Sequence, residues 1–196
     1  MSERVGRDPN RRLTMDNGAC SYRRFLDGDE TAFDDIMNEL FHSLMYFINR
    51  YVHDFHAAED IAMDTFADLL VHKNRYNFKV TLKTYLFMMG RSRALDYLKR
   101  KRTIPFVELN EEIAVESDEK TLEEIVITDE RKRIVNGAIA KLNEEMQIAI
   151  HLFYFENMTY AEIARVMKKN EKQVDNLLYR AKKELRAILD KDGELL

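Results

Sequence analysis

The 196-residue sequence has few of the residues that cross-link a chain or break its helices: one cysteine, two prolines and six glycines. The single Cys20 excludes an internal disulfide framework and suits a reducing cytoplasm. Scarce proline and glycine, among abundant helix formers, predict an all-α fold. No apolar run approaches the roughly 20 residues that span a membrane. The charged N-terminus lacks the apolar segment of a secretory signal. We therefore expect a cytoplasmic protein without direct membrane insertion.

The common signatures of enzyme chemistry are also missing. Neither GxSxG, HExxH nor the phosphate-binding GxxxxGK[ST] occurs in the sequence. His53 and His56 have an HxxH spacing, but zinc would need two further ligands and Cys20 is remote. Adjacent carboxylates such as Asp34 and Asp35 have no partner histidine, so they fit the charge that favours a helix start. We expect no enzyme activity, no metal, no cofactor and no small-molecule substrate.

The charge of the chain is strongly segregated, although the net value is only −4. Residues 91–102 contain six basic side chains and one acidic one, whereas residues 108–130 contain ten acidic side chains and one basic one. Residues 165–186 are basic again. Because local charge governs contact with DNA, the overall acidity does not exclude a nucleic-acid partner.

Apolar residues recur at helical spacing in several separate stretches. These stretches are residues 29–52, 57–72, 81–102, 129–142 and 144–156. Thr81 can cap the third helix, and Pro105 ends it. The remaining segments have little periodicity: residues 1–20 are predicted to be a flexible tail and residues 103–127 an acidic linker. The sequence therefore predicts two small helical domains, residues 21–102 and 128–191.

Residues 157–186 have the pattern of a helix-turn-helix. Thr159 and Glu162 can form a capping box, and Asn170 with Gln173 can start the second helix in the same way. The apolar face of that helix carries Val174, Leu177, Leu178, Ala181, Leu185 and Ile188. Its other face carries Lys172, Asn176, Tyr179, Arg180 and Lys183. Such a helix suits the major groove of DNA. The same pattern also fits the solvated face of a helical bundle, and this stretch alone does not decide between them.

The order of four segments resembles a known family. AAEDIAMDTF is followed by YLFMMGRSRALDYLKRKR, the acidic linker, LNEEMQIAIHLFYFENMTYAEIARVM and VDNLLYRAKKEL. Over about residues 21–190 the chain resembles bacterial sigma factors of the extracytoplasmic-function (ECF) type. The resemblance implies an alternative sigma factor that binds core RNA polymerase and directs promoter-specific initiation. It also suggests an anti-sigma factor as a partner.

The resemblance implies a different role for each of the two domains. The first is similar to sigma region 2, which docks on the polymerase clamp helices and opens the −10 promoter element. The second is similar to sigma region 4, which rests on the polymerase flap and recognises the −35 element as duplex. In the first domain, Glu59, Asp60 and Asp64 would dock on the clamp. Asp60 and Asp64 are one turn apart, and a basic partner would relieve their repulsion. The alternative is an ordinary solvated face.

The basic stretch at residues 91–102 includes Tyr97 and follows Tyr85 and Phe87 closely. Cations can neutralise phosphates, while aromatic rings can stack on unpaired bases. Without an ATP-binding loop, the energy for strand opening must come from binding, including capture of a flipped base. The resemblance places that pocket at the loop of residues 73–80. The predicted −10 residues are Arg75, Tyr76, Asn77, Arg91, Arg93, Lys99 and Arg100. Core packing is the alternative for Tyr85 and Phe87, and a solvated helix end is the alternative for residues 99–102.

The predicted −35 residues are Lys172, Asn176, Tyr179, Arg180 and Lys183. Arginine can bind guanine through two hydrogen bonds, and asparagine can read adenine. Two positions depart from the family pattern. Lys168 occupies the turn where glycine is common, and a left-handed backbone there costs a lysine roughly 1 kcal/mol unless the turn widens. Asp175 replaces a residue that is often basic, and its carboxylate would repel phosphate but could accept a hydrogen bond from cytosine.

Two other functions compete with this reading. A stand-alone helix-turn-helix regulator would bind duplex operators as a dimer, but the sequence has no heptad run for dimerisation. It would also leave the basic stretch at residues 91–102 without a role. An adaptor that binds polymerase without touching DNA would tolerate the loss of Arg180 and Lys183, whereas a sigma factor would not.

Overall fold

The structure, a computed structural model, describes residues 17–103 and 130–193. Within these ranges the chain forms eight α-helices and no strand, which confirms the predicted all-α fold. The helices are α1 (Asn17–Leu26), α2 (Thr31–Val52), α3 (Phe55–Val71), α4 (Leu82–Thr103), α5 (Glu130–Ala140), α6 (Glu144–Ile150), α7 (Tyr160–Met167) and α8 (Glu171–Gly193). We call α1–α4 the N-terminal unit and α5–α8 the C-terminal unit. Nearly all of the predicted acidic linker lies outside the described residues.

Helix α1 corrects the prediction of a flexible tail over residues 1–20, because residues 17–20 already belong to this helix. Tyr22 and Phe25 lie on its inner face and are buried. The Tyr22 hydroxyl donates hydrogen bonds to the backbone carbonyls of Leu69 (3.1 Å) and Lys73 (3.0 Å). Two buried aromatic side chains therefore hold α1 against the rest of the unit. The first 16 residues of the predicted tail lie outside the described residues.

The core of the N-terminal unit forms where α2 packs against α1, α3 and α4. Phe87 is fully buried, and its ring centroid lies 4.8 Å from that of Phe47, so core packing is the correct reading for Phe87. Gly90 of α4 packs against the side chains of Leu44 and Ile48 in α2. A Cβ atom at Gly90 would lie 2.9 Å from Cδ1 of Leu44, so any side chain there would require Leu44 to shift. Thr81 caps α4 as predicted, since its hydroxyl oxygen accepts a hydrogen bond from the Thr84 amide at 3.1 Å.

The helix-turn-helix of the C-terminal unit has the predicted caps. Glu162 accepts a hydrogen bond from the Thr159 amide (2.8 Å), and the Thr159 hydroxyl oxygen accepts one from the Glu162 amide (3.3 Å). Asn170 and Gln173 exchange the same pair of bonds at the start of α8, at 2.9 and 2.8 Å. These reciprocal bonds satisfy amides that have no partner within their own helix.

The turn between α7 and α8 does not widen to avoid a left-handed residue. Lys168 has φ 55° and ψ 45°, the left-handed helical region. The Lys169 amide donates a hydrogen bond to the Ala164 carbonyl at 2.9 Å, which closes the end of α7. A lysine in this conformation costs roughly 1 kcal/mol relative to the right-handed region. The surrounding contacts therefore tolerate the strain.

A π-helical turn interrupts the helix that the sequence predicts over residues 144–156. Helix α6 ends at Ile150, and His151–Phe155 continues it as a wider turn. His151 and Leu152 are buried there, whereas Tyr154 and Phe155 are more than half exposed. The wider turn places Glu156 at its end with a buried side chain. Helical periodicity alone does not distinguish such a turn from a regular helix.

Candidate nucleic-acid interface

The loop between α3 and α4 is held by an aromatic cluster. Tyr76 is only 3 % exposed, and its ring centroid lies 5.4 Å from Tyr22, 4.6 Å from Phe78 and 5.2 Å from Tyr85. Its hydroxyl donates a hydrogen bond to the Val80 carbonyl across the loop at 2.7 Å. The structure therefore places Tyr76 in the core, rather than on the DNA-facing surface that the sequence predicts. Its position supports the shape of the loop.

The exposed part of this loop carries other side chains. Arg75 and Asn77 are exposed, as predicted, and the Asn77 side-chain oxygen accepts a hydrogen bond from the Lys79 amide at 3.1 Å. Phe78 is half-buried with φ 59°, and the Arg23 guanidinium lies 4.9 Å from the centre of its ring. Sequence reasoning missed Phe78 and Arg23. The aromatic composition of the loop was the only available signal for Phe78, and nothing local pointed to Arg23.

Asp68 near the end of α3 joins basic groups from three segments. Its Oδ1 atom lies 3.2 Å from Nη1 of Arg75 and 2.9 Å from Nδ1 of His72, while its Oδ2 atom lies 3.6 Å from Nη2 of Arg93. The Asp68 side chain is 17 % exposed. This carboxylate brings together Arg75 and Arg93, two predicted −10 residues that are 18 positions apart in the sequence. Sequence reasoning did not identify Asp68.

The basic residues of α4 do not form one continuous surface. Arg91 is half-buried, and its guanidinium lies against the Tyr51 hydroxyl of α2. Burial raises the pKa of Tyr51, and the nearby Arg91 charge opposes that shift. The structure therefore places Arg91 between two helices, which corrects its prediction as an open DNA contact. Lys99 and Arg100, near the end of α4, are exposed as predicted.

Helix α8 has the two faces that the sequence predicts. Val174, Leu178 and Ala181 are fully buried on one side. All five predicted −35 residues are exposed: Lys172, Asn176, Tyr179, Arg180 and Lys183. Asp175 is exposed on the same helix, so its charge modifies this surface. The result is a polar face on a helix of 23 residues, opposite the buried apolar side chains.

The surface of α3 that carries acidic residues also exposes apolar side chains. Glu59, Asp60 and Asp64 are exposed, as predicted. Met63 lies among them with 51 % exposure, and Leu70 and Val71 are exposed farther along the helix. Exposed apolar side chains beside acidic ones are typical of a surface that binds another protein. Sequence reasoning missed Met63, and it grouped Leu70 with the apolar positions Ile61, Phe66 and Leu69, whereas the structure leaves Leu70 exposed.

The described residues contain no group of three or more histidine, cysteine, aspartate or glutamate side chains placed to hold a metal ion. His53 is exposed, with its Nε2 atom 3.6 Å from Oε1 of Glu144, and His56 is also exposed. Over the same part of the chain, none of the helices combines the length and the apolar character needed to cross a membrane.

Two family models match the chain. Sigma-70 region 2 matches residues 36–104, and Sigma-70, region 4 matches residues 132–185, together more than half of the sequence. The first match covers most of α2 together with α3 and α4, and the second covers most of the C-terminal unit. The chain therefore belongs to the sigma-70 family, in its extracytoplasmic-function group, and is an alternative sigma factor that directs transcription initiation. Its partners are core RNA polymerase and promoter DNA.

Similar proteins include two curated sigma factors. The chain is 22% identical over 158 residues to the ECF RNA polymerase sigma factor SigM of Bacillus subtilis, covering 81% of this chain and 95% of SigM. It is 26% identical over 178 residues to the RNA polymerase sigma-H factor of Pseudomonas aeruginosa, covering 87% and 92% of the two chains.

Two solved structures show the same fold. One is CnrH in complex with the cytosolic domain of CnrY, with a TM-score of 0.59 and 19% identity, covering 90% of this chain and 96% of the other. The second is the sigma factor RpoE with the anti-sigma factor NepR from Bartonella quintana, with a TM-score of 0.59 and 15% identity, covering 81% and 96%.

Proposed function

We propose that the N-terminal unit opens the −10 promoter element and that the C-terminal unit recognises the −35 element as duplex DNA. The exposed polar face of α8, opposite the buried side chains of Val174, Leu178 and Ala181, carries this proposal. A helix of this kind can enter the major groove while its base stays attached to the unit. The basic and aromatic surface of the N-terminal unit supplies the second contact. The segment between the units, residues 104–129, would join them while each binds its own element.

The −35 contact is assigned to Lys172, Asn176, Tyr179, Arg180 and Lys183. Arg180 is the residue best suited to recognise a base, since its guanidinium can bind guanine O6 and N7 together. Asn176 lies one turn before it on the same exposed face and can read adenine. Lysine side chains at Lys172 and Lys183 suit phosphates, which hold the helix in register without reading sequence.

The −10 contact is assigned to the exposed groups around the α3–α4 loop: Arg75, Asn77, Phe78, Arg93, Lys99 and Arg100. Unstacking a base costs a few kcal/mol per step, and stacking on an aromatic ring with phosphate neutralisation offsets that cost. Phe78 is the half-buried ring at the loop surface. Tyr76 and Arg91 support this site from inside the unit, because both side chains are withdrawn from solvent.

The docking face for the polymerase clamp helices is assigned to Glu59, Asp60 and Asp64, with Met63 between them. The flap would receive the C-terminal unit. We further propose an anti-sigma factor as a regulatory partner, because the NepR complex of the relative RpoE has this composition. The chain would act in the cytoplasm and would make the polymerase selective for promoters. It would have no catalytic chemistry of its own.

Run-off transcription with purified core polymerase on genomic fragments tests the whole proposal. We expect site-selective starts with the wild-type chain. Arg180→Ala should lower transcription from those starts by about 5- to 150-fold, equivalent to 1–3 kcal/mol of lost −35 recognition. Its affinity for core polymerase should not change. Glu184→Ala, an exposed substitution on the same helix, is the matched control. An equal loss of core binding would show that Arg180 has been misassigned, and the absence of any selective start would overturn the proposed function.

The docking face has a separate test. Asp60→Arg places a positive charge where a basic partner is expected, so affinity for core polymerase should fall by at least tenfold in a titration. Glu39→Arg makes the same change of charge at an exposed position of α2 and should leave that affinity unchanged. If both variants bind core polymerase like the wild type, the acidic face of α3 is not the docking surface.

A further inference from the structure

Asp68, near the end of α3, holds two arginines of the proposed −10 surface through separate oxygen atoms. Its Oδ1 atom lies 3.2 Å from Nη1 of Arg75 in the loop, and its Oδ2 atom lies 3.6 Å from Nη2 of Arg93 in α4. Oδ1 also lies 2.9 Å from Nδ1 of His72. The Asp68 side chain is 17% exposed, whereas that of Arg75 is 59% exposed. An acidic side chain mostly withdrawn from solvent therefore lies within a surface that has to bind polyanionic DNA.

The ion pairs of Asp68 are not needed to explain the shape of the loop. At its start, the Tyr22 hydroxyl donates a hydrogen bond to the Lys73 carbonyl at 3.0 Å. Across it, the Tyr76 hydroxyl donates to the Val80 carbonyl at 2.7 Å. Ion pairs with exposed partners add little to folding stability, because water competes for the charges. The effect of Asp68 should therefore fall mainly on the arginine side chains themselves.

Asp68 orders two side chains that would repel each other without it. Arg75 and Arg93 come from different elements and bring like charges to one carboxylate. A free arginine side chain samples many rotamers, and fixing it at the moment of binding costs entropy. Because both guanidinium groups are held before DNA arrives, less ordering remains for the binding step. Their planar sets of donors then point in fixed directions, which suits one arrangement of the bound strand better than others.

Asp68 also limits the positive charge of this surface. The carboxylate and the two arginines together carry a net charge of +1, compared with +2 for the arginines alone. Attraction between cations and phosphates is independent of sequence, so each added positive charge strengthens binding to any strand. The charge of Asp68 reaches the aromatic cluster as well: burial, and then Asp68, raise the pKa of Tyr85, and Arg75 opposes them.

We propose that Asp68 determines the selectivity of the −10 surface. It orders Arg75 and Arg93 for the unpaired strand, and it offsets part of the charge that would hold a strand of any sequence. Only a strand that can use the ordered guanidinium groups then binds well. The inference rests on the proposed opening of the −10 element by the N-terminal unit. It gives a reason for an acidic residue between two arginines of a proposed DNA surface.

Nuclear magnetic resonance of the arginine side chains tests the ordering. In the full chain with isotopically labelled arginine, relaxation of the guanidinium nitrogen atoms measures their motion. Arg75 and Arg93 should be restricted in the wild type and mobile in Asp68→Asn, which removes the charge but keeps the shape of the side chain. Asp35→Asn makes the same change at an exposed position of α2 and should affect neither arginine. Equal mobility of both arginines in the wild type and Asp68→Asn would overturn the proposal.

Binding of single-stranded DNA by the holoenzyme tests the selectivity. One oligonucleotide carries the −10 sequence of a start found by run-off transcription, and the other carries the same bases in permuted order. Asp68→Asn should bind the permuted strand about fivefold tighter, the effect of one unit charge a few ångströms away in water. The −10 strand should gain the same attraction but lose the ordering of the arginines, a loss of similar size, so its affinity should change little. The preference for the −10 strand should therefore fall about fivefold.

The salt dependence checks that charge is the cause. For the permuted strand, the slope of log affinity against log salt concentration should steepen by about 0.7 in Asp68→Asn. Asp68→Glu keeps the charge on a longer side chain, so it should keep the wild-type slope and restore most of the preference. Asp35→Asn should match the wild type in both measurements.

The outcomes separate this role from the proposed function and from a role in folding. If the wild-type holoenzyme prefers the −10 strand and Asp68→Asn keeps that preference, only the role of Asp68 is overturned. If the wild type shows no preference, the proposed opening of the −10 element fails, and this role fails with it. The melting temperature of Asp68→Asn should stay within about 4 °C of the wild type. A much larger fall would show that Asp68 acts through the fold, which would also overturn the proposal.

Discussion

The two proposed DNA surfaces are built in different ways. The −35 surface lies on one helix, α8, whose exposed face is fixed by local caps and by its own apolar residues. The −10 surface combines a loop, the end of α3 and part of α4, and Asp68 joins Arg75 to Arg93 across them. Its loop depends on Tyr22, which is 47 residues away from Leu69 but donates to its carbonyl.

Because of this difference, the two surfaces should respond differently to mutation. A substitution at one of the five proposed −35 residues of α8 should remove one contact and leave the unit folded, because these side chains are exposed. A substitution in the aromatic cluster of the N-terminal unit should disturb several DNA contacts at once, because they share the same support. The C-terminal surface is therefore modular, whereas the N-terminal surface is cooperative.

The sharpest test compares a buried tyrosine with an exposed one. Tyr22→Ala should lower the free energy of unfolding of the N-terminal unit by about 3–5 kcal/mol, the usual cost of removing a large buried aromatic side chain. Tyr179→Ala, at a position 68 % exposed on α8, should change it by no more than about 0.5 kcal/mol. Urea denaturation followed by circular dichroism measures both.

The same two substitutions should also differ in their effect on DNA binding. Tyr22→Ala should abolish capture of a single-stranded −10 oligonucleotide by the holoenzyme, while Tyr179→Ala should weaken only the −35 contact. If the two tyrosines cost similar stability, or if Tyr22→Ala leaves −10 capture intact, the aromatic cluster does not support the loop as the structure indicates.

The same contrast explains which features the sequence predicts. The capping boxes at Thr159 and Asn170 and the exposed side of α8 follow from residues three or four positions apart, and the structure confirms these features. Tyr76 and Arg91 were expected on the DNA surface, but their burial depends on packing against distant helices. Asp68 and Arg23 were missed for the same reason. A charged residue in the sequence does not reveal which distant groups it will contact.

We expect the stability of the chain to fall in acid because His151 and Glu156 of the C-terminal unit are buried. Burial, the largest cause, lowers the pKa of His151 below its usual 6.5, with Arg50 and Lys83 adding to the shift and Glu156 opposing it. Stability from this group is complete above pH 6.5 and declines below it, because the unfolded chain then takes up a proton more readily. The Glu156 contribution is complete above pH 4.5 and is lost as the pH falls toward about 2.

Calorimetry across pH 8 to 4 checks this prediction. We expect the melting temperature of the chain to fall by a few degrees from about pH 6.5 downward and more steeply below about pH 4.5. His151→Gln should flatten the first decline, whereas His42→Gln, at an exposed histidine of α2, should not. An identical decline in both variants would mean that the buried histidine does not resist protonation.

The smallest expected effect tests whether the stability of the turn between α7 and α8 depends only on its own residues. Lys168→Gly removes the penalty of a left-handed lysine, so we expect the free energy of unfolding to rise by about 0.5–1 kcal/mol after the entropic cost of glycine is included. Glu184→Gly, inside α8, should instead lower it by about 1 kcal/mol, which shows that glycine is not stabilising in itself. Urea denaturation of the two variants gives both values. If Lys168→Gly lowers stability, the Lys168 side chain must make contacts that outweigh its backbone strain, and the turn would then depend on more than its own residues.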